Sequence, residues 1–453
     1  MNCAYFLLGV VIGFCLQNIS FGAVEPRRYD GYRVVTIEPQ KDSFEKIDAL
    51  LASYQVDTNL IQHLDIWRRP SVVKASYDVL IAPEIWDVMT TAFDKAGAKY
   101  VITIGNVQQL IEKERFRRTP RRVRRQPRRF SLHRYHTLDE IRRWMYHFSR
   151  ANRDIVKRVQ VGISYQGRRI FALKIGVPSA NVTKRIIWQD ACIHAREWVT
   201  GATLIWLSRK LVKGYREGNS DIDRYLTEFD WYILPIWNVD GYLYTWTKDR
   251  MWRKSRSEAG SYGCYGVDLN RNFETPNRGA GTASDNPCSE VYHGPKAFSE
   301  LESSSVQKFM LKKRSHLAAV MTLHSYAQYW LYPYGYTSEH SPDNDELERI
   351  SSEAVKAMHK KHNAVYKHGT VSDIAYQVSG GSIDWSYREL CVKYTFGVEL
   401  RDTGKHGFLL PPRYIIPTAE EYYEGLEVVV RQLLQESREN ERSSFCTQRR
   451  GRA

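Results

Sequence analysis

Beyond its N-terminus, the chain lacks any apolar run long enough to cross a lipid bilayer. The one marked apolar run is the 12-residue stretch from Tyr5 to Leu16, which is too short to span a membrane. Small residues follow from Ser20 to Ala23, as a signal peptidase requires, although no Lys or Arg precedes the run. We therefore predict a signal peptide over residues 1–23 and a secreted protein without a membrane anchor. A buried N-terminal helix is the alternative.

Acidic residues are absent between residues 115 and 129, where nine arginines occur. These nine charges make up most of the net charge of +15, and the tail from Ser437 adds another three. An arginine block can bind nucleic acid through its phosphates. Here Pro120 and Pro127 keep the segment extended and accessible to proteases. Residues 115–129 are therefore predicted to be a linker cut by an activating protease, and nucleic-acid binding is disfavoured.

Cysteine is scarce, with seven residues in all, of which two lie in the predicted leader. The other five are an odd set, so at least one stays free or pairs between chains. They are Cys192, Cys264, Cys288, Cys391 and Cys446. An oxidising compartment would permit disulfides, and Asn181 begins a glycosylation acceptor, Asn-Val-Thr, that is consistent with secretion. The basic tail, residues 437–453, is expected to be disordered.

Residues 24–114 alternate strand-like and helix-like segments in the order β-α-β-β-α-β. Strand-like patterns include residues 33–39 and 99–105, and helical spacing occurs over residues 43–54 and 84–97. This order is the split βαβ, ferredoxin-like arrangement. The segment contains no cluster of potential catalytic residues. We therefore predict a small α+β pro-domain, joined by the linker to a larger unit.

Residues 130–436 are predicted to form an α/β catalytic domain. Several strand candidates, including residues 185–191, 231–238 and 393–400, are apolar throughout, which is typical of strands covered on both faces. Helical segments lie between them. The prediction is a central mixed, mostly parallel sheet flanked by helices.

Potential metal ligands follow two of these predicted strands. His194 and Glu197 stand three apart after the strand at residues 185–191, and His324 lies near the end of a strand at residues 316–326. Loops at strand ends are where a sheet displays chemistry, and catalytic zinc commonly takes three protein ligands. From these residues alone a zinc site is one interpretation. A hydrogen-bonded histidine beside a chance H-x-x-E pair is the other.

Six motifs occur in one order along the chain: HAREW, WRKSRS, GVDLNRNF, LHSYAQYWLYPYGY, SGGSIDWSY and VELRDTGKHGFLLP. With them, residues 135–436 resemble the A/B-type zinc metallocarboxypeptidases, and the preceding segments resemble that family's leader and pro-domain. The resemblance implies one zinc ion bound by His194, Glu197 and His324, with Asp268 orienting a ligand imidazole. It also implies a disulfide between Cys264 and Cys288.

The resemblance further implies roles for residues of the cleft. Glu399 would be the general base, and Arg256 would stabilise the oxyanion. Arg253 would be its neighbour and a substrate-binding residue of an outer subsite. Arg271, with Asn270 beside it, would grip the free carboxylate of the substrate. The residues expected to close over or flank the substrate are Tyr376, Arg196, Tyr326 and Phe408.

The residue at position 383 bears on specificity. In the family that the chain resembles, an acidic residue at this position selects C-terminal Lys or Arg, but Ile383 is apolar. The adjacent Asp384 is also found in the A-type enzymes of that family. Because a buried carboxylate is needed to offset desolvation of a cationic side chain, we expect a preference for aromatic or large aliphatic C-terminal residues. Val378 is expected to narrow the pocket and Gly397 to widen it.

The leading prediction is a secreted, zinc-dependent exopeptidase that is made as a zymogen and acts on peptide and protein C-termini. One alternative is a B-type or regulatory carboxypeptidase that removes basic residues. Another is a non-catalytic peptide- or glycan-binding module on the same scaffold, which would need no general base such as Glu399. Nucleic-acid binding through the arginine-rich linker is a third.

Overall fold

The computed structural model describes residues 25–39, 43–56, 61–70, 76–115, 130–179, 183–260, 263–436, 440 and 442–450. The predicted signal peptide, residues 116–129 of the linker and Asn181 lie outside these described residues. Among the helices of the described ranges, none is both long and apolar enough to cross a membrane.

The first unit is a four-stranded antiparallel sheet with helices packed against it. Its elements are β1 (Arg33–Glu38), α1 (Phe44–Val56), β2 (Leu64–Arg68), β3 (Tyr77–Ile81), α2 (Trp86–Lys95), β4 (Lys99–Ile104) and α3 (Val107–Arg115). The strand order β2-β3-β1-β4 confirms the ferredoxin-like prediction. Side chains of one sheet face, such as Val35 and Val79, pack with Leu51 of α1 and Phe93 of α2. Helix α3 is an addition that the predicted pattern did not contain.

The second unit contains an eight-stranded mixed sheet in the order β11-β10-β12-β9-β7-β8-β6-β5. Its strands are β5 (Val156–Ile163), β6 (Arg169–Ile175), β7 (Arg185–Ala191), β8 (Phe229–Leu234), β9 (Leu317–Ser325), β10 (Tyr329–Tyr332), β11 (Lys367–Thr370) and β12 (Tyr394–Leu400). Its helices are α4 (Leu138–Ala151), α5 (Trp198–Arg216), α6 (Ser220–Glu228), α7 (Val239–Thr247), α8 (Leu301–Leu311), α9 (Asn344–His362), α10 (Val371–Ile374), α11 (Ser382–Arg388) and α12 (Ile415–Gln435).

The centre of this sheet is parallel, since β8, β7, β9 and β12 all run in the same direction. Every residue of β7 and of β9 is buried, because helices cover the sheet on both faces. The predicted mixed, mostly parallel sheet flanked by helices is confirmed. Parallel strands bring their carboxyl ends to one edge of the sheet, which is where ligands bind in such folds.

The described part of the C-terminal tail is ordered, contrary to the prediction. It forms α13 (Ser444–Arg450), and Cys446 is bonded to Cys391 with the two Cα atoms 5.7 Å apart. The Asp343 carboxylate accepts hydrogen bonds from the backbone NH and the hydroxyl of Ser444, which fixes the start of this helix. The Cys264–Cys288 disulfide is present as the resemblance implied, and Cys192 is buried and unbonded.

Candidate functional site

Two imidazoles and one carboxylate converge at the carboxyl end of the parallel strands. Nδ1 of His194 lies 2.8 Å from Oε1 of Glu197, and Nδ1 of His324 lies 3.1 Å from Nδ1 of His194 and 3.3 Å from Oε2 of Glu197. All three side chains are buried, at 2–4% exposure. Two ring nitrogens that face each other beside a carboxylate form a donor set for one cation. This set fits a catalytic zinc ion, which is bound by His nitrogen and Glu oxygen.

Local structure explains why these side chains meet. His194 and Glu197 lie in the turn between β7 and α5, and Cys192 begins this turn in the left-handed region at φ 51°. His324 is the penultimate residue of β9, the strand that pairs with β7. The backbone NH of Ser325 also donates to Oε2 of Glu197, at 3.2 Å. The spacing predicted from the sequence is therefore realised by two neighbouring strand ends.

Asp268 fixes the orientation of His194. Its Oδ1 lies 3.0 Å from Nε2 of His194, so this ring nitrogen donates and Nδ1 is left to face Glu197. Burial alone would raise the pKa of Asp268, but the charges of Arg253 and Arg271 outweigh it and hold that pKa well below its usual value. Asp268 therefore remains ionised, as the role implied by the resemblance requires.

The two arginines of the WRKSRS motif point in different directions. Arg253 is buried, donates from Nε and Nη2 to Oδ2 of Asp268 at 3.1 and 2.8 Å, and has Nη1 4.0 Å from Oε1 of Glu197. Arg256 instead places its guanidinium carbon 3.7 Å above the Tyr244 ring. It does not line the cleft. The prediction of Arg256 as the oxyanion-stabilising cation is therefore wrong, because aromatic rings hold it outside. Arg253 occupies the position beside the candidate metal ligands.

Glu399 lies in β12 directly opposite His324 of β9 and lines the cleft. Burial raises the pKa of Glu399 to about 8, while the nearby charge of His324 acts in the opposite direction. A carboxyl with such a pKa can exchange a proton near neutral pH. The sequence prediction places a general base here, and the structure puts the group within the same cavity as His194 and Glu197.

Arg271 lines the same cavity, with Nη1 3.7 Å from Oδ2 of Asp268. Its Nη1 donates to the carbonyl oxygen of Asn270 at 3.0 Å and its Nη2 to the Tyr376 hydroxyl at 3.2 Å. Among the described residues its buried Nε has no hydrogen-bond partner. The Arg271 carbonyl oxygen would lie 2.1 Å from a Cβ at Gly380, which has φ +77°, so only glycine allows this approach. A guanidinium with free donors in a cleft suits a carboxylate.

An apolar pocket adjoins these groups, within a cavity of about 100 Å³. Its buried apolar side chains are Leu331, Val371, Val378 and Ile383. A Cβ at Gly397 would lie 2.4 Å from Cδ1 of Ile383. Gly397 therefore does not widen the pocket as predicted, since the Ile383 side chain fills the space that a larger residue would take. Val378 lines the same pocket, in keeping with its expected narrowing role.

Asp384 faces the protein rather than the pocket. Its carboxylate accepts hydrogen bonds from the backbone NH groups of Gly335 and Tyr336 at 3.0–3.1 Å. Burial raises its pKa to about 7. These bonds occupy the carboxylate and brace the loop that carries Gly335, so Asp384 is not placed to receive a cationic side chain.

The first unit covers the cleft. Trp67, Arg68 and Arg69 line the same cavity as the candidate metal ligands. The Trp67 ring lies 5.0 Å from the ring of Phe408 and 6.4 Å from that of Tyr326. Two residues predicted to flank the subsites, Phe408 and Tyr326, are thus in contact with the first unit.

One ion pair and one hydroxyl contact fasten this cover. Arg196 pairs with Asp65 of β2, and the Tyr326 hydroxyl donates to Asp78 of β3 at 2.8 Å. Oδ1 of Asp78 also accepts from Arg68, at 3.0 Å. The first unit therefore contacts Tyr326 of the cavity and Arg196 beside it.

Comparisons with known proteins agree with this geometry. A family model described as zinc carboxypeptidase matches residues 141–425, and one described as carboxypeptidase activation peptide matches residues 45–114. The chain is 38% identical to mouse carboxypeptidase A2 over 400 residues, covering 88% of this chain and 93% of that protein. It is 39% identical to bovine carboxypeptidase A1 over 372 residues, covering 82% and 87%.

A solved structure shows the same fold for both units. The crystal structure of thrombin activatable fibrinolysis inhibitor matches with a TM-score of 0.79 and 32% identity, covering 89% of this chain and 99% of that one.

Proposed function

The chain belongs to the zinc carboxypeptidase family, and we propose that it is secreted as a zymogen and removes aromatic or large aliphatic residues from peptide C-termini. The observation that carries the proposal is one cavity that joins the His194, Glu197 and His324 triad to the Arg271 guanidinium and an apolar pocket. These parts correspond to the three needs of such an enzyme: a metal, a carboxylate anchor and a side-chain pocket.

Zinc held by His194, Glu197 and His324 would polarise the scissile carbonyl and acidify an attacking water. The protein prepares this site in advance. Asp268 holds the His194 ring in one tautomer, and burial of the three ligands excludes bulk water.

Substrate orientation is assigned to Arg271. Its free donors would grip the terminal carboxylate through parallel hydrogen bonds, which restricts cleavage to the last peptide bond. Asn270 lies beside it and is held by the backbone NH of Ser382, which donates to its Oδ1 at 2.9 Å. Tyr376 contacts Arg271 through its hydroxyl and would move over the bound carboxylate.

Proton transfer is assigned to Glu399 and charge stabilisation to Arg253. Glu399 would take a proton from the attacking water and pass it to the leaving amine. Arg253 lies 4.0 Å from the ligand Glu197, so its guanidinium is close to where negative charge develops on the carbonyl oxygen. Because Asp268 already binds two of its nitrogens, Arg253 is fixed before substrate arrives.

The apolar lining of the pocket supports the assignment of specificity. A C-terminal Lys or Arg would lose its hydration without gaining a carboxylate partner. Ile383 stands at the position that would have to be acidic, and Asp384 is occupied by backbone NH groups. These contacts favour the A-type assignment over the B-type alternative.

The domain assignment follows from the same reasoning. We infer a signal peptide over residues 1–23, a pro-domain over 24–114, a cleavable linker over 115–129, a catalytic domain over 130–436 and a tail over 437–453. Trp67 and Asp65 of the pro-domain support latency, because they occupy the cleft and its rim.

The test is turnover of blocked dipeptides that end in Phe, Leu or Arg by protein cleaved in the linker and freed of the pro-domain. We expect hydrolysis of the Phe and Leu substrates, loss of activity with a chelator, and recovery when zinc is added. Ile383→Asp should shift the substrate preference toward peptides that end in Arg, while Glu399→Gln should abolish turnover but retain zinc by elemental analysis.

Preferred cleavage of the Arg substrate by the parent protein would establish the B-type alternative. Inactivity of zinc-loaded protein would favour the binding-module alternative. Recovery from the medium of a chain starting after residue 23 would support secretion.

A further inference from the structure

The segment from residue 138 to residue 175 concentrates positive charge at one edge of the catalytic sheet. It consists of α4 and the β5–β6 hairpin, and it contains nine Lys and Arg against three Asp and Glu. Of the net charge of +15, the linker supplies nine and the tail three. Since this segment supplies six, the remainder of the chain has a net charge of −3. Its positive charge is therefore a local property, separate from the linker.

Most of these cations have no acidic partner. Within the described residues, Arg168 pairs with Asp240 and Lys174 with Asp230, but the other seven form no ion pair. Six of these seven, which we name the basic face, are Arg142, Arg143, Arg150, Arg153, Arg158 and Arg169. The seventh, Lys157, alternates with Arg158 along β5 and points to the opposite face of the sheet.

The acids of the segment do not compensate this face. Glu140 pairs with Arg134, and Asp154 pairs with Arg216. Asp139 is the third acid and is exposed at the start of α4. The basic face therefore presents an excess of guanidinium groups to solvent.

Packing holds several of these guanidinium groups in place. Arg158 of β5 lies 5.2 Å from the Tyr146 ring of α4 and 4.4 Å from the Phe171 ring of β6. Nη1 of Arg150 donates to the Tyr146 hydroxyl at 3.2 Å, and Arg142 donates to the carbonyl oxygen of residue 169 at 2.6 Å. Side chains ordered in this way lose less conformational entropy when they bind a ligand.

A structural role alone accounts for little of this pattern. The strand β5 is a sheet edge, and charges on edge strands prevent pairing with other chains. That role explains Lys157, but it does not explain Arg142, Arg143 and Arg150, which lie on a helix.

We propose that the basic face binds a linear sulfated polysaccharide. Free guanidinium groups suit the oxygens of sulfate, and an open surface formed by a helix and a hairpin suits an extended polymer rather than a small anion. The Tyr146 and Phe171 rings already contact guanidinium groups, so they offer no vacant platform for the bases of single-stranded nucleic acid. This choice of ligand rests on the proposed secretion.

The basic face lies away from the cleft. The strand β5 is four strands away from β9, about 19 Å across the sheet, and His324 at the cleft lies in β9. A polysaccharide on this face would therefore hold the enzyme at a sulfated extracellular polymer without obstructing the cleft.

The test is the affinity of the matured enzyme for heparin, used as the probe, between 0.05 and 0.3 M salt (about the range over which such contacts are screened). Maturation removes the linker, whose arginines would otherwise contribute. The test variant changes the exposed residues Arg143, Arg150 and Arg153 to Gln. We expect its affinity at physiological salt to fall at least about tenfold, and the slope of log affinity against log salt to decrease by roughly two to three. A variant with the same three residues changed to Lys should retain most of the affinity.

The matched control removes three exposed cations from the opposite edge of the sheet, as Lys356→Gln, Lys360→Gln and Lys367→Gln. The affinity of this control for heparin should change less than about threefold, because cations that do not contact the bound polymer contribute little to its binding. Equal losses in both variants, or no heparin binding by the parent enzyme, would overturn the proposal. Tighter binding to a single-stranded oligonucleotide or to phosphatidylserine vesicles would overturn it as well. Dipeptide turnover, measured on the same samples, should be unchanged in both variants, which separates this proposal from the proposed catalytic function.

Discussion

The ion pair between Glu114 and Arg250 joins the pro-domain to the catalytic domain, and its removal should release the pro-domain. Oε2 of Glu114 accepts from Nε of Arg250 at 2.7 Å and Oε1 from Nη2 at 3.0 Å, and each side chain is only 1% exposed. The remaining Arg250 donors bind the carbonyl oxygens of Arg196 and Phe408, both at 2.8 Å. The guanidinium also lies 3.7 Å from the centre of the Trp198 ring. Arg250 thus has no room to find a new partner.

Glu114→Ala would leave this guanidinium buried with Nε unpaired while the pro-domain is bound. Removing one member of a buried charge pair costs about 3–5 kcal/mol. At the lower value, about 3 kcal/mol, the affinity of the cleaved pro-domain for the enzyme should weaken roughly 150-fold. When the pro-domain leaves, water can solvate Arg250, so the cost falls on the complex and not on the free enzyme.

The assay cleaves the full chain in the linker and follows activity on a blocked dipeptide after serial dilution. The parent should recover activity only at high dilution, whereas Glu114→Ala should recover it at about 150-fold higher protein concentration. Glu112→Ala is the matched control, because Glu112 lies on the same helix but is 58% exposed and pairs with Arg28 of the pro-domain itself. Identical recovery of the two variants would refute the reasoning, since it would mean that the buried pair contributes nothing to latency.

The remaining predictions concern the cleft, a buried acid and the tail. Arg253→Gln should lower kcat about 10²–10³-fold, whereas Arg256→Gln should change kcat less than about threefold; steady-state kinetics on a blocked dipeptide would measure both, and the reverse order would contradict the assignment. Burial raises the pKa of Glu302 from 4.5 to about 8, so the folded protein keeps a proton that the unfolded chain loses between these values. The free energy of unfolding should therefore fall as pH rises from about 4.5 to about 8, by at most about 5 kcal/mol, and Glu302→Gln should flatten this dependence in denaturant titrations at several pH values. Cys446→Ser opens a crosslink between residues 55 apart and should cost about 2–4 kcal/mol, seen as a lower Tm, and reductant should lower the Tm of the variant less than that of the parent, because the variant keeps only the Cys264–Cys288 disulfide. Zinc removal should lower the Tm by several degrees, with recovery on adding zinc back, because the ion binds the folded state alone; an unchanged Tm would contradict the metal site.

The fold could be predicted because its signals are strong and local. The apolar segments at residues 185–191 and 393–400 became the buried strands β7 and β12, since strands covered on both faces show little alternation. The alternation over residues 33–104 likewise gave the pro-domain order. Helix α3 was missed because its sequence is strongly charged and carries few apolar residues, and its burial depends on contacts with the catalytic domain.

The tail shows what local composition cannot reveal. Its many charged and small residues favour disorder in isolation. In the structure its order comes from distant partners, namely the Cys391 disulfide and the Asp343 carboxylate, which lie 55 and about 100 residues away in sequence. An odd number of cysteines left several pairings open, and only the three-dimensional placement of Cys391 decides among them and leaves Cys192 unbonded.

The assignment of the cleft arginine failed for a similar reason. Arg253 and Arg256 stand in one motif with the same chemistry, so neither composition nor spacing separates them. Their neighbours do: Asp268 draws Arg253 inward by two hydrogen bonds, and the rings of Tyr244 and Trp252 hold Arg256 at the surface. A buried guanidinium requires a buried anion to offset its desolvation, and Asp268 is fully buried beside His194. One carboxylate thus orients a metal-ligand imidazole and positions the cation next to it, so loss of Asp268 should disturb the metal site and the oxyanion site together.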